Sequence, residues 1–222
     1  MRPDYKAAML VGMRTTLLLD VDGTLIDSYP GIREGFLRGL DAAGWEHPGE
    51  DFIRRIPGPP MTETMASLGM DAEENRRAMN AYSEYMAGDG WQNFTVFDGM
   101  AQLVAEWKAE GYEVVTATSK GEGLARMALE RAGILDNIDF LGAAQEDGPR
   151  KRKVDVIRHV LDNVQPERPL MIGDRHHDFE GAAFFGIPSV AVTWGYADPR
   201  EYDLATCTAT TADELKGIVH DF

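Results

Sequence analysis

Cysteine is almost missing from this chain of 222 residues, with Cys207 the only one. That excludes a disulfide framework and any zinc site built from cysteines; Cys207 itself reads as a small hydrophobe late in the chain. Also missing is any apolar run near the roughly 20 residues that a membrane-spanning helix needs. Positive charge is scarce: 22 lysines and arginines stand against 37 aspartates and glutamates, a net charge of −15. Such a surface repels nucleic acid and anionic membranes, so neither is expected as a partner. An anionic ligand would need a locally basic pocket. Lysine is absent from the whole stretch 29–95. A leader is barely indicated. Arg2, Lys6 and the apolar patch from Ala7 to Met13 have some of its character, but Gly12 interrupts the patch, which runs straight into the first strand. We therefore expect a cytoplasmic protein, with residues 1–14 a loosely held tail.

What is present centres on Leu17-Leu18-Leu19-Asp20-Val21-Asp22-Gly23-Thr24-Leu25. A short apolar run that stops at a turn signal reads as a buried, parallel strand. In an open α/β sheet, ligands sit beyond the carboxyl ends of the strands. Asp20 and Asp22 fall at such an end. Two carboxylates held close repel each other unless a cation or a shared proton lies between them. Gly23 lets the chain leave the strand in a conformation that other residues resist, and Thr24 adds a hydroxyl. This pattern is that of a hard-cation site with a carboxylate oxygen free to attack.

Further along, apolar periodicity and breakers predict helices from Ile32 to Leu40 (ended by Gly44), from about Met61 to Leu68, and from Ala72 to Met86 behind an Asp71 cap. No strand is expected between 29 and 95. An alternating rhythm then resumes: helix from Met100 to Gly111, strand Tyr112–Ala117, helix Gly123–Ala132, short strand Asp139–Gly142, helix Val154–Val164, strand Leu170–Ile172, helix Phe179–Phe185, strand Ser189–Thr193 and a last helix Asp213–Val219. Strands alternating with helices imply a parallel sheet covered on both faces. The expected architecture is a Rossmann-like α/β core of residues 1–28 and 96–222, carrying an inserted α-helical cap at 29–95.

Four strand ends carry polar groups: Asp20 with Asp22; Thr118-Ser119-Lys120; Lys153, within the basic run Arg150–Lys153; and Asp174-Arg175-His176-His177-Asp178. Taken singly each has a plain alternative. Thr118 and Ser119 read equally as helix caps, Lys120 and Lys153 as surface charges, Asp174 and Asp178 as a cap and an ion-pair partner, and His176 and His177, being adjacent, as exposed polar residues.

Taken in order, acid pair, hydroxyl, lysine and glycine-aspartate pair resemble the four motifs of the haloacid dehalogenase-like superfamily. The nearest likeness is to its phosphoglycolate phosphatase-like branch with a helical cap, and Gly173-Asp174-Arg175-His176-His177-Asp178-Phe179-Glu180-Gly181-Ala182 is also similar to bacterial 5′-nucleotidases. The resemblance implies a Mg²⁺-dependent phosphatase acting on a small-molecule phosphate monoester, phosphoglycolate-like or a nucleoside monophosphate. It implies that Asp20 attacks phosphorus and that Asp22 serves as acid and then base. Asp20, Asp174 and the Asp22 carbonyl would hold Mg²⁺, with Asp178 on the ion or its waters. Thr118, Ser119 and Lys120 would bind phosphate, and Lys153 would offset its charge. Many relatives place the third-motif lysine four residues before an acid and follow it with proline. Lys151 has that spacing from Asp155 but no proline; Lys153, two before Asp155, matches the nucleotidase-like form and is preferred.

Asp22 speaks against the dehalogenase branch, and the lysine-free cap against a Schiff-base phosphonatase. A sugar-phosphate mutase, or a catalytically idle phosphate-binding regulatory module, stays as the alternative. Specificity is expected from the cap, where Arg54 and Arg55 precede the proline-stiffened turn Pro57–Pro60 and would pair with a substrate carboxylate. The chain is expected to be a monomer or homodimer.

Overall fold

The computed structural model describes residues 13–145 and 148–222. Of the tail read at 1–14, only its last two residues lie within that range. Arg14 is fastened there, its backbone N–H donating to Glu167 and its guanidinium to the carbonyls of Gly111 and Tyr112 and to Glu113.

Six strands form one parallel sheet: β1 (Thr15–Leu19), β4 (Glu113–Gly121), β5 (Phe140–Ala144), β6 (Arg168–Gly173), β7 (Ser189–Val192) and β8 (Cys207–Ala209), in the spatial order β5-β4-β1-β6-β7-β8. The chain builds outward from β1 in one direction, then returns to lay β6 on its other flank. That reversal is the switch point at which doubly wound sheets bind ligands. Side-chain alternation sorts the strands between two cores. Leu17, Leu19, Leu170 and Ile172 enter one with α5 (Met100–Ala109), α6 (Glu122–Arg131) and α9 (Ala212–Asp221). Leu18, Val115 and Met171 enter the other with α7 (Lys153–Val164) and α8 (His176–Phe184). Burial on both faces is why these strands read as continuous apolar runs rather than alternating ones.

Four helices lie between Tyr29 and Ala87: α1 (Tyr29–Ala43), α2 (Glu50–Ile53), α3 (Met61–Ser67) and α4 (Ala72–Ala87). They gather round their own cluster, with Ile32, Phe36, Leu40, Ile53, Ile56, Met65 and Ala78 at its centre. Asp71 caps α4 as expected. Its carboxylate accepts from the N–H groups of Glu73 and Glu74, while Glu74 reaches back to the Asp71 N–H. Gly31, Gly35 and Gly39 recur at helical spacing on α1. A Cβ at Gly35 would press on Tyr82 and Tyr85, and one at Gly39 on Met65 and Ala78. The stripe lets α1 lie close against α4.

The two connections between this helical unit and the sheet run side by side. β2 (Ile26–Asp27) pairs antiparallel with β3 (Thr95–Val96) as a separate two-stranded ribbon. No helix among the described residues is long and apolar enough to cross a membrane.

Candidate active site

Register brings the motifs together. Leu19 lies level with Thr116 on one side and Ile172 on the other. One residue on, the Asp20 N–H donates to the Ile172 carbonyl at 2.9 Å. Asp20, Thr118 and Asp174 therefore leave three neighbouring strands at the same edge. Thr118-Ser119-Lys120 belongs to β4 itself, whose pairing with β5 shifts between Thr118 and Gly121. The helix-cap alternative for Thr118 is thereby corrected: Gly121 precedes α6.

Asp20 is held from two sides. The Val21 N–H donates to its Oδ1 at 2.8 Å, and Lys153 Nζ stands 2.8 Å from the same oxygen. Lys153, the first residue of α7, also lies 2.7 Å from Asp178 Oδ1 and donates to the Ala117 carbonyl at 2.7 Å. Its three donor positions thus have three partners. Burial would discharge this lysine, but Asp178 and Asp20 outweigh burial and hold its pKa above the ordinary value. The charge repays its own burial only through these contacts. Lys151 is exposed.

Asp178 lies in the first turn of α8, and its Oδ2 accepts from the N–H groups of Asp174 and Arg175 at 3.1 and 3.0 Å. Asp174 is wholly buried. The Tyr196 N–H donates to its Oδ2 at 2.8 Å, while its Oδ1 has no hydrogen-bond partner. Burial, then Asp178, then Asp20 push the Asp174 carboxyl well above its ordinary pKa; burial also pushes Asp20 up to about 6, with Lys153 opposing. Gly23, at φ +83°, packs against Asp174 so closely that a Cβ would strike its carboxylate, and a Cβ at Gly195 would do the same. Left-handed backbone and lack of space both require glycine at 23.

Carboxylate oxygens of Asp20, Asp174 and Asp178 lie within 4.8 Å of one another. Three buried acids, one of them with an unpartnered oxygen, are unfavourable without a counter-ion. The all-oxygen donor set fits a hard divalent cation. Asp22 points its carboxylate elsewhere, accepting from Lys120 Nζ at 3.0 and 3.2 Å.

Above Asp20 and Asp22 lies a cavity of about 240 Å³. Thr118, Ser119 and Lys120 line its floor, with Gln145 and Lys151 at one side. Its other walls come from the helical unit and α6: Ile32, Ile56, the loop from Pro57 to Thr62, Met79, Tyr82, Met86 and Leu124. Arg54 and Arg55 do not line it. Both are exposed and border a different cavity with Asp51, Tyr196 and Asp198. They thus stand away from the Asp20 cavity rather than over it as expected: Ile56 and Pro57 are the buried residues of that loop, and the backbone either side of Ile56 is tied down by Arg175, which donates to the Arg55 and Pro57 carbonyls.

Arg175 reads from sequence only as a partner for Asp174 or Asp178, and neither its actual partner Glu201 nor the loop residue Tyr196 was singled out. Glu201 Oε2 lies 3.1 Å from Arg175 Nε, and it accepts from the His176 N–H at 2.9 Å and meets His176 Nδ1 at 2.6 Å. Burial pushes Glu201 up, but the His176 amide and ring and then Arg175 outweigh it, bringing its pKa down to about 2. His177 is half-buried, its pKa pushed down to about 4 by burial and then by His176 and Arg175. Ligand atoms of His176, His177 and Glu180 do converge within 4.8 Å, although the two imidazoles are sequence neighbours. The Tyr196 hydroxyl accepts from the N–H groups of Ser28 and Tyr29 and donates to Asp27 at 2.9 Å, joining the Asp174 loop to the start of the helical unit. One signal could have found this loop: it directly follows β7 on the ligand-binding edge of the sheet.

Residues 17–192 match the haloacid dehalogenase-like hydrolase family. The chain is 39% identical over 206 residues to the Tyrosine-protein kinase PtkA of Mycobacterium tuberculosis, covering 90% of this chain and 70% of that protein. It is 31% identical over 188 residues to a 5′-nucleotidase of Pseudomonas aeruginosa, covering 83% of this chain and 85% of that one. Among solved structures, a predicted phosphatase from Clostridium acetobutylicum superposes with a TM-score of 0.89 at 28% identity, over 95% of this chain and 100% of its own. With these likenesses spanning the sheet, the four motifs and the helical unit, the chain belongs to the haloacid dehalogenase-like hydrolases and is a phosphoric monoester hydrolase of that family.

Proposed function

We propose that the chain is a Mg²⁺-dependent phosphatase that hydrolyses a small-molecule phosphate monoester through an aspartyl-phosphate on Asp20. The observation that carries this is the position of Lys153, which bridges Asp20 and Asp178 beside the unpartnered oxygen of Asp174. An ammonium and a cation site on either side of one carboxylate is what an anionic nucleophile needs to approach an anionic phosphate. Asp20, Asp174 and Asp178 would hold the ion, whose chemistry is to shield phosphate charge from the nucleophile and stabilise the transferring group. In the first step an Asp20 oxygen bonds to phosphorus as the P–O bond to the alcohol breaks, and Asp22 gives the leaving oxygen its proton. In the second, Asp22 takes a proton from water, which attacks phosphorus and releases phosphate and free Asp20. Thr118, Ser119 and Lys120 line the cavity beside Asp20, which supports reading them as donors to phosphate oxygens, Lys120 exchanging its contact with Asp22 for one with phosphate. We place this enzyme in the cytoplasm, as a monomer or homodimer with neither nucleic acid nor membrane as partner.

Phosphate release from a panel of esters with Mg²⁺, repeated with EDTA, tests this. Asp20→Asn should lose release by more than about a thousandfold while keeping the far-ultraviolet circular dichroism of the parent. Turnover by a well-folded Asp20→Asn protein would remove the assigned nucleophile. The Mycobacterium tuberculosis relative's name supports a second reading, in which Asp20 passes phosphate to a hydroxyl acceptor rather than to water. Appearance of labelled phosphate on an added alcohol, in preference to solution, would favour that.

A further inference from the structure

The cavity over Asp20 is chemically lopsided. Asp20, Asp22, Thr118, Ser119 and Lys120 make part of its lining polar, whereas Ile56, Met79, Tyr82, Met86 and Leu124 give it a broad apolar part. Ile56 and Met86 are buried, and the other three are half-buried with side chains on the cavity wall. Among the described residues its lining holds no arginine. Of its lysines, Lys120 is committed to Asp22 and Lys151 is exposed at one side. A leaving-group carboxylate seated on the apolar part, away from Thr62, Gln145 and Lys151, would be buried among thioethers, aliphatics and a ring. Desolvating such a charge without a partner is costly.

The same wall suits a ring. Two methionines supply flexible, polarisable sulfur that makes favourable contacts with aromatic edges. Tyr82 offers a ring face for offset or tilted contact. Burial, and then the charge of Asp22, push the Tyr82 hydroxyl's pKa upward, so it stays a neutral donor. A Cβ at Gly35 would press on the Tyr82 ring, so α1 backs the ring closely. The platform is built rather than incidental.

We infer that the enzyme's preferred substrates are phosphate monoesters of apolar, ring-bearing alcohols or phenols, selected by Met79, Tyr82 and Leu124, and not small phosphorylated carboxylic acids. This rests on the phosphatase reading for its chemistry but on the cavity wall for its selectivity, and the two fail separately.

The test is calorimetric titration of Asp20→Asn protein in Mg²⁺ with phenyl phosphate, phosphoglycolate and inorganic phosphate, set beside turnover of both esters by the unsubstituted enzyme. Phenyl phosphate should bind at least tenfold more tightly than phosphoglycolate. Adding Met79→Ala or, separately, Leu124→Ala should weaken phenyl phosphate at least fivefold and leave inorganic phosphate unchanged. The two side chains sit on different elements, so misfolding of one variant leaves the other to decide. Equal or tighter binding of phosphoglycolate overturns the inference. So does equal weakening of phenyl phosphate and inorganic phosphate in both variants. If the unsubstituted enzyme releases phosphate from neither ester while the order of affinities holds, the phosphatase reading falls and the selectivity of the wall stands.

Discussion

At the scale of single residues the site is a balance of charges that are unfavourable alone. Burial outweighs the attraction of Lys153 and pushes Asp20 up to about 6, and burial with Asp178 and Asp20 pushes Asp174 upward too. Each raised carboxyl keeps its proton to a higher pH than a free carboxylate would, and a cation must displace that proton. Mg²⁺ affinity should therefore fall as pH drops through about 6, by about tenfold per unit for each proton displaced, and binding there should release protons. Calorimetry in two buffers of different ionisation heat measures that release, and an affinity flat from pH 7.5 to 5 would contradict the clustered acids. Gly23 makes a second prediction. Alanine there adds backbone strain at φ +83° and a collision with Asp174. Gly23→Ala should cost about 1–3 kcal/mol of stability and at least a hundredfold in activity, read by urea unfolding and phosphate release. A variant of normal activity would show that Asp174 need not stand where it does.

At the scale of elements, the start of α8 is tied by a short 3₁₀ turn, Pro199–Leu204, that delivers Glu201 to Arg175 and to the His176 amide. Glu201 has a folded-state pKa of about 2 against an ordinary value of 4.5. Its contribution to stability is thus complete above 4.5 and is lost as pH falls from 4.5 toward 2. Glu201→Gln should be about 1–3 kcal/mol less stable at pH 7, with the gap to the parent closing through that acid window in urea titrations. A gap unchanged at pH 3 would place the stabilisation elsewhere. Sequence could not show this turn's role, because its value lies in a contact 25 residues away. The elements that sequence did show are those whose own residues decide them: the buried parallel strands, the Asp71 cap, and the glycine after α1 at φ 77°. The missed ones are short or polar. β8 is an edge strand with Cys207 and Thr208 exposed, held by backbone pairing to β7. β2 and β3 have two residues each, and α2 has four. The extension of β4 through Thr118–Gly121 carries polar side chains because it borders the site.

At the scale of the whole molecule, the four motifs were legible from order alone, since the sheet's switch point must bring the ends of β1, β4 and β6 together. Specificity was not, because the arginines that attract the eye in sequence are turned to a different cavity while the wall is made of residues that read as ordinary core. Net charge acts at this scale too. At −15 the protein repels a phosphate dianion, and salt screens that field within about 10 Å at 0.1 M. For phenyl phosphate, kcat/KM should rise about two- to threefold between about 20 and 200 mM KCl. A fall instead would mean that the basic run Arg150–Lys153 steers the substrate.

The ribbon of β2 and β3 has a mechanical meaning. Two hydrogen-bonded strands form a strap: it flexes across its flat face but resists twisting and sideways slip, because those motions break its cross-links. Tyr196 pins the base of that strap to the loop that holds Asp174. Arg175 supplies a second tie, to the Arg55 and Pro57 carbonyls, so lifting the helical unit about the strap must break those hydrogen bonds. Ile32 lies five residues along the chain from Asp27, whereas Met79 and Tyr82 reach the wall from α4. Opening the wall to a ring and holding it closed over one are thus governed by the same arginine.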